Sequence, residues 1–295
     1  MTDEPRADSE IAALSQWAIF RRKFVRHKAA MVSLVVLGVI FGSAMFAEQL
    51  APYGYDEIDL PNADIGPTLE DRHFFGTDQI GRDYFSRTLY GTRTSLRVAF
   101  IVAFGSTVVG TLVGATAGYF GSWVDNLLMR LTDLVLTLPG LAILLIASAL
   151  LGQGSPYRVG VILAAVLWTS LARIVRGQFL SLREKEFVEA ARASGASDVR
   201  IIFRHILPNS MSPIIVNATL IVATAILVEA TLSFLGFGVQ PPNPALGALI
   251  DDGRDSMLTK PWLVLAPGLT LVAICLAVNF LGDGLRDALD PTTRT

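Results

Sequence analysis

Groups able to do acid–base, redox or metal chemistry are scarce in this chain. It holds one cysteine, three histidines and four lysines among 295 residues. The lone Cys275 excludes an internal disulfide and lies in an apolar stretch, as a small buried residue does. His27, His73 and His205 are scattered through different loops, with no carboxylate or cysteine at metal-ligand spacing, so no metal site is expected. A phosphate-cradling loop needs Gly-Lys followed by Ser or Thr. The lysines follow Arg22, His27, Glu184 and Thr259, so that loop does not occur. If ATP and Mg drive this protein, another chain must bind them. Neither a G-x-S-x-G nucleophile turn nor an H-E-x-x-H helix is present, and no catalytic residue or nucleic-acid partner is expected.

Charge is also sparse. Charged residues make up 17% of the chain and hydrophobic ones 52%, whereas soluble domains carry about 25% charged residues. The stretches 29–47, 98–124, 134–157, 230–250 and 261–282 contain no Asp, Glu, Lys or Arg. About 20 apolar residues carry a helix across the roughly 30 Å of bilayer hydrocarbon. The fold class is therefore an all-α membrane protein with six transmembrane helices, at 29–47, 95–118, 127–151, 157–175, 212–236 and 262–282. No small-residue cleavage site follows Ala47, so the first is expected as a retained span. The fourth is flanked by Arg158 and Arg173, which must reach interfaces or snorkel.

Loop charges predict the orientation. With both termini in the cytoplasm of a plasma (inner) membrane, sixteen of the 24 Lys and Arg residues lie inside. The expected organisation is a cytoplasmic segment 1–28, then a first helix with a long extracytoplasmic loop over 29–92. A five-helix core follows over 93–282 with an inner loop at 177–210, and 283–295 is a cytoplasmic tail. The outer loop, rich in proline and acidic residues, is expected to be irregular and exposed.

Ionisable residues near the spans are few, chiefly Asp133 and Glu229. Counted along its span, Glu229 falls near the outer boundary; both are candidates for a translocation path. Gly110, Gly114 and Gly118 recur every fourth residue, which puts them on one helical face where another backbone can approach. That partner lies either within the chain or in a neighbouring subunit. In the inner loop, Phe187, Ala190, Ala191, Ser194, Val199, Ile202 and Phe203 recur at helical spacing among charges, predicting short amphipathic helices.

The same loop reads Glu189-Ala190-Ala191, three residues, Gly195, nine residues, then His205-Ile206-Leu207-Pro208-Asn209. A helix ending near Ser194, a glycine free to take positive φ and a second short helix make an elbow. This spacing resembles the E-A-A-x3-G-x9-I-x-L-P loop of bacterial ABC import permeases. His205 in place of Ile is similar to the peptide-permease branch. Residues 76–87, Gly-Thr-Asp-x-x-Gly-Arg-Asp-x-x-Ser-Arg, resemble the stretch after the first span of the C-type subunit. Glu229 to Gly236 and Asn279 to Pro291 resemble that family's fifth-span end and C-terminus.

The resemblance implies a type I importer permease fold, a five-helix core plus an N-terminal helix. It also implies a subunit that pairs with a B-type permease and with two ABC ATPase subunits, and that receives di- or oligopeptides from an extracytoplasmic binding protein. Nickel, opines or another small solute are alternative cargoes within the family; a secondary transporter is an alternative outside it. The implied coupling element comprises Glu189, Ala190, Ala191, Ser194, Gly195, Ala196, Ser197, Asp198, Ile202, His205, Leu207 and Pro208. Glu189 is expected to hold the elbow by charge or hydrogen bonding.

Overall fold

The computed structural model describes residues 16–151 and 154–289. Arg6, Arg294 and the Asp290-Pro291 end of the C-terminal motif lie outside them. A basic helix α1 (Gln16–Arg26) leads into α2 (Lys28–Met45) and a single turn, α3 (Ala47–Leu50). Then come α4 (Tyr84–Phe120), α5 (Ser122–Thr137), α6 (Gly140–Leu151) and α7 (Pro156–Arg183). The inner loop forms α8 (Glu186–Ala193), α9 (Asp198–Ile201), a π turn over Ile202–Ile206, and α10 (Leu207–Asn209). The chain ends with α11 (Met211–Phe234), α12 (Leu246–Arg254) and α13 (Trp262–Leu289).

Five helices, α2, α4, α7, α11 and α13, are long and apolar enough to cross a bilayer. The third expected span, 127–151, is not one straight helix. α5 and α6 meet at 88°. Pro139 explains the break: it lacks an N–H and drives the preceding Leu138 into extended backbone, at ψ 144.

The packing of α4 on α7 shows that this bent pair still crosses the bundle. Ile101 meets Gly160, Gly105 meets Ala164, Gly110 meets Trp168 and Gly118 meets Phe179. Residue numbers rise together, so the two helices are parallel. The end of α4 and the start of α7 therefore lie at opposite ends of the bundle, and α5 with α6 must return between them. Six crossings result. Ala30 packs on Gly284 and Thr219 on Gly282, which brings the start of α2, the end of α13 and the start of α11 to one face. The inner loop lies on that same face, against Tyr119 and Phe179.

The glycine stripe finds its partner within the chain. A Cβ at Gly110 would lie 2.8 Å from the Trp168 carbonyl, one at Gly114 2.8 Å from the Val175 Cβ, and one at Gly118 2.6 Å from the Phe179 Cβ. Such closeness matters in a membrane, where helix association depends on van der Waals fit rather than on burial from water. The stripe's partners Leu171, Val175 and Phe179 belong to the cluster beneath the inner loop, while the main core gathers Val98, Val102, Leu163, Ile226, Leu232 and Ile274 further along the bundle.

At the opposite face residues 51–72 are irregular apart from a turn at Leu60–Asn62 and hold no buried residue, as the composition of the loop suggests. Residues 73–87, by contrast, are partly folded into the bundle. Asp83 caps α4, accepting from the Ser86 N–H at 2.7 Å. It also meets the buried His73 Nδ1 at 2.9 Å, with Tyr53 stacked on the imidazole. Thr77 Oγ1 donates to the Asn62 carbonyl and accepts from the Ile65 N–H. Asp78 accepts from Arg82 Nε at 2.7 Å and from Arg87 at 3.0 Å. Arg87 also donates to Asp252 of α12 at 3.1 Å. Residues 76–87 thus form a charged clamp that folds the loop onto the bundle. Among the loop's acidic residues Asp78 and Asp83 are buried, while Asp56, Glu57, Asp64, Glu70 and Asp71 are exposed.

Arg87→Ala is therefore expected to lower the thermal unfolding midpoint in detergent, since Asp78 would keep only Arg82. Breaking such a pair costs about 3 kcal/mol. An unchanged midpoint would refute the clamp.

Candidate functional site

The elbow begins with helix α8, whose end is fixed by three backbone bonds. Ser194 N–H donates to the Ala190 carbonyl at 3.0 Å, Gly195 N–H to Arg192 at 3.0 Å, and Ala196 N–H to Ala191 at 3.1 Å. The last two are the paired bonds of a Schellman stop, and they require the residue after the cap to be left-handed. Gly195 occupies that place with φ +79. Ala191 and Ala196, the residues bonded across it, both pack on the buried cluster beneath. The Glu-Ala-Ala-x3-Gly spacing therefore has a local meaning: small residues at the close contact and glycine at the one position of positive φ.

Beyond the stop, Ser197 opens α9, which passes into the π turn. Pro208, with no N–H to give, is accommodated by that widened turn, and Leu207 N–H reaches back to Ile202. Asn209 Nδ2 donates to the His205 carbonyl at 2.6 Å, satisfying an acceptor near the interruption.

Tertiary contacts anchor the elbow. Val188, Ile201 and Ile206 are buried with Tyr119, Val175, Phe179 and Ile214, from three membrane helices. Tyr119 Oη donates to Asp198 Oδ1 at 2.6 Å, and Arg183 donates to the Gly118 carbonyl at 3.1 Å. Glu189 is exposed, and no hydrogen bond or ion pair of its carboxylate is found among the described residues. The side chain that ties the elbow down is Asp198, joined to a tyrosine 79 positions earlier. The outward surface carries Ala190, Ser194, Gly195, Ser197 and Pro208, with Val199 66% and Phe203 59% exposed beside Arg200 and Arg204. Ile202, His205 and Leu207 are half-buried at its base. A small-residue tip with apolar flanks and a basic rim fits protein docking. It holds no group arranged for covalent chemistry.

Glu229 and Asp133 lie elsewhere and apart from each other. Glu229 is fully buried within the chain, five residues from the end of α11. Its Oε2 accepts from Ser95 Oγ at 2.7 Å and its Oε1 from Ser233 Oγ at 2.6 Å, while Ser95 Oγ accepts from Leu246 N–H. This carboxylate joins α4, α11 and the start of α12 and faces its own chain rather than an open cavity. Asp133 accepts from Arg173 at 2.6 Å, and both are about half exposed. Sequence spacing gives no sign of Ser95, Tyr119 or Arg173 as partners, because each contact is long-range. Between α7 and α11, Ser170, Asn217 and Thr224 line a cavity of about 150 Å³.

A bundle of six crossings marks a multi-pass membrane protein. Comparison with known proteins identifies the family. Residues 110–295 match the model of the binding-protein-dependent transport system inner membrane component, and residues 15–68 match the N-terminal TM domain of oligopeptide transport permease C. The chain belongs to this family of ABC importer permeases.

Among its relatives is the dipeptide transport system permease protein DppC of Alkalihalophilus pseudofirmus. It is 41% identical, with 100% of this chain and 97% of the relative covered. The oligopeptide transport system permease protein OppC of Haemophilus influenzae is 42% identical over 97% of this chain and 92% of its own. A glutathione transport system permease protein, GsiD of Escherichia coli, is 41% identical over 93% and 90%. A solved inward-facing structure of the MetNI methionine ABC transporter shares the fold. Its TM-score is 0.50 at 18% identity, over 68% of this chain and 95% of that one.

Proposed function

We propose that this chain is one of two homologous permease subunits of an importer for di- or oligopeptides, with a B-type permease as its partner. Of two ATPase subunits, which bind ATP and Mg, one docks on this chain's elbow, and an extracytoplasmic binding protein delivers cargo to the opposite face. The observation that carries this reading is the Gly195 elbow, a rigid exposed knob seated on α4, α7 and α11. Movement of a protein docked there passes directly to three membrane helices. The peptide cargo rests on the relatives, whose names specify dipeptide, oligopeptide and glutathione transport.

Polar groups on the outside of the bundle support a path beside α7 and α11. The Asp133–Arg173 pair and Ser170, Asn217 and Thr224 are poorly matched to lipid and well matched to a water-filled or subunit-lined space. Uptake of labelled peptides of graded length, by cells with and without this chain, tests the cargo. Loss of uptake together with copurification of two ATPase chains is the expected result; unaltered uptake of every peptide would refute it.

The elbow face is cytoplasmic in this reading, in agreement with the excess of Lys and Arg on that side. Single cysteines at Leu69, 81% exposed, and at the exposed Ser197, in a chain lacking Cys275, test this. An impermeant thiol reagent added to intact cells is expected to label position 69 only. Labelling of position 197 from outside would reverse the orientation.

A further inference from the structure

We propose that the basic face of α1 binds the phosphate headgroups of anionic lipids, in the leaflet on the elbow side of the bundle. Arg21, Arg22, Lys23 and Arg26, with Lys28 at the start of α2, are five positive charges in eight residues, and α1 carries no acidic residue. Arg21, Arg22, Arg26 and Lys28 are exposed. Phe20 and Phe24 stack with ring centroids 5.9 Å apart. At about 100° per residue, Arg22 and Arg26 lie about 200° round the helix from Phe24. Arg22 and Arg26 thus stand opposite the aromatic pair, with Arg21 and Lys23 on the flanks, a pattern suited to a segment lying in the bilayer interface.

The fold places this face at headgroup depth. His27 Nδ1 accepts from the Ala30 N–H at 3.1 Å and so caps α2. Its Nε2 stands 3.5 Å from Asp287 of α13, and Ala30 packs against Gly284. The corner between α1 and α2 is therefore pinned where the first span enters the membrane. Lys28 begins that span. From it to Arg22 is at most about 9 Å along a helix, even for an upright α1. Headgroups occupy roughly 5–8 Å beyond the hydrocarbon on each side, and arginine side chains extend several ångströms to reach them. Asp287 faces this corner and is paired with His27, and Asp283 lies one turn before it on α13. Arginine forks are suited to phosphate oxygens in a way that zwitterionic headgroups, with their own cation, compete against.

Native mass spectrometry of the full chain, purified with its copurifying subunits and exposed to equal phosphatidylglycerol and phosphatidylcholine, tests this. The wild type is expected to retain phosphatidylglycerol preferentially. Replacing Arg21, Arg22, Arg26 and Lys28 together by Gln should reduce that preference at least tenfold, given about fivefold per charge at the surface. Raising salt should erase the preference of the unmutated protein, which tests the idea without any variant. Equal retention of both lipids by the wild type, or a salt-insensitive preference, would overturn the proposal. So would a folded Gln variant that keeps the wild-type preference.

Discussion

Vesicles carrying Gly195→Val are expected to lose both ATP-driven peptide uptake and stimulation of ATP hydrolysis by loaded binding protein. The reason is conformational. At φ +79 a side chain costs about 1–2 kcal/mol, and a β-branched one more. Nothing lies within 4 Å of a Cβ placed on Gly195, so steric contact inside the chain is not the cause. Valine would relieve its strain by leaving the left-handed region. That movement breaks the bonds from Gly195 to Arg192 and from Ala196 to Ala191, and turns α9 away from Tyr119. The six crossings do not depend on those bonds, so insertion and binding-protein docking should persist. Gly195→Asn supplies the control, because asparagine tolerates the left-handed region. Transport is expected to decline in the order Gly, Asn, Ala, Val. A Val variant with wild-type uptake would mean that residues 189–208 do not couple. An Asn variant as inactive as Val would mean that a docked partner, not backbone strain, demands glycine.

Gly114→Leu should act earlier, on folding. Gly114 faces Val175 and the backbone of Arg176 so closely that a single Cβ would lie 2.8 Å from one and 3.0 Å from the other. Overpacking a core costs about 1–3 kcal/mol. Here the obstacle is another helix backbone, which cannot rotate away as a side chain can, so the whole α4–α7 contact must open. Gly110 and Gly118 on the same stripe would lose their contacts as well, and Tyr119 would shift from beneath the elbow. Little assembled protein should survive detergent extraction, whereas membrane insertion measured in the same cells should be near normal. Gly38→Ala on α2, where nothing lies within 4 Å, is the neutral comparison. Normal yield and thermal stability of the Leu variant would show that the stripe is not a close backbone contact.

What the sequence alone determined is what depends on near neighbours. Charge-free runs mark most of the membrane helices, because a bilayer excludes charge wherever the neighbouring helices lie. The run 230–250, however, is mostly the loop before α12 and that helix's first turn. The Glu-Ala-Ala-x3-Gly spacing marks the elbow, because a helix stop with a left-handed residue involves only six consecutive positions. The break at Leu138-Pro139 was equally local, and it is hidden only when an apolar run is counted without its proline. The tertiary structure decided which polar groups meet. Glu229 could be assigned a depth from its span but not its partners, Ser95 and Ser233, since Ser95 is 134 positions away. Arg87 and Asp252 are separated by 165 positions, and Tyr119 and Asp198 by 79. Whether the glycine stripe served the chain itself or a neighbour was likewise open until α4 and α7 were seen to run parallel. Such pairings follow from which helix faces come within a few ångströms, and that depends on how the whole bundle packs.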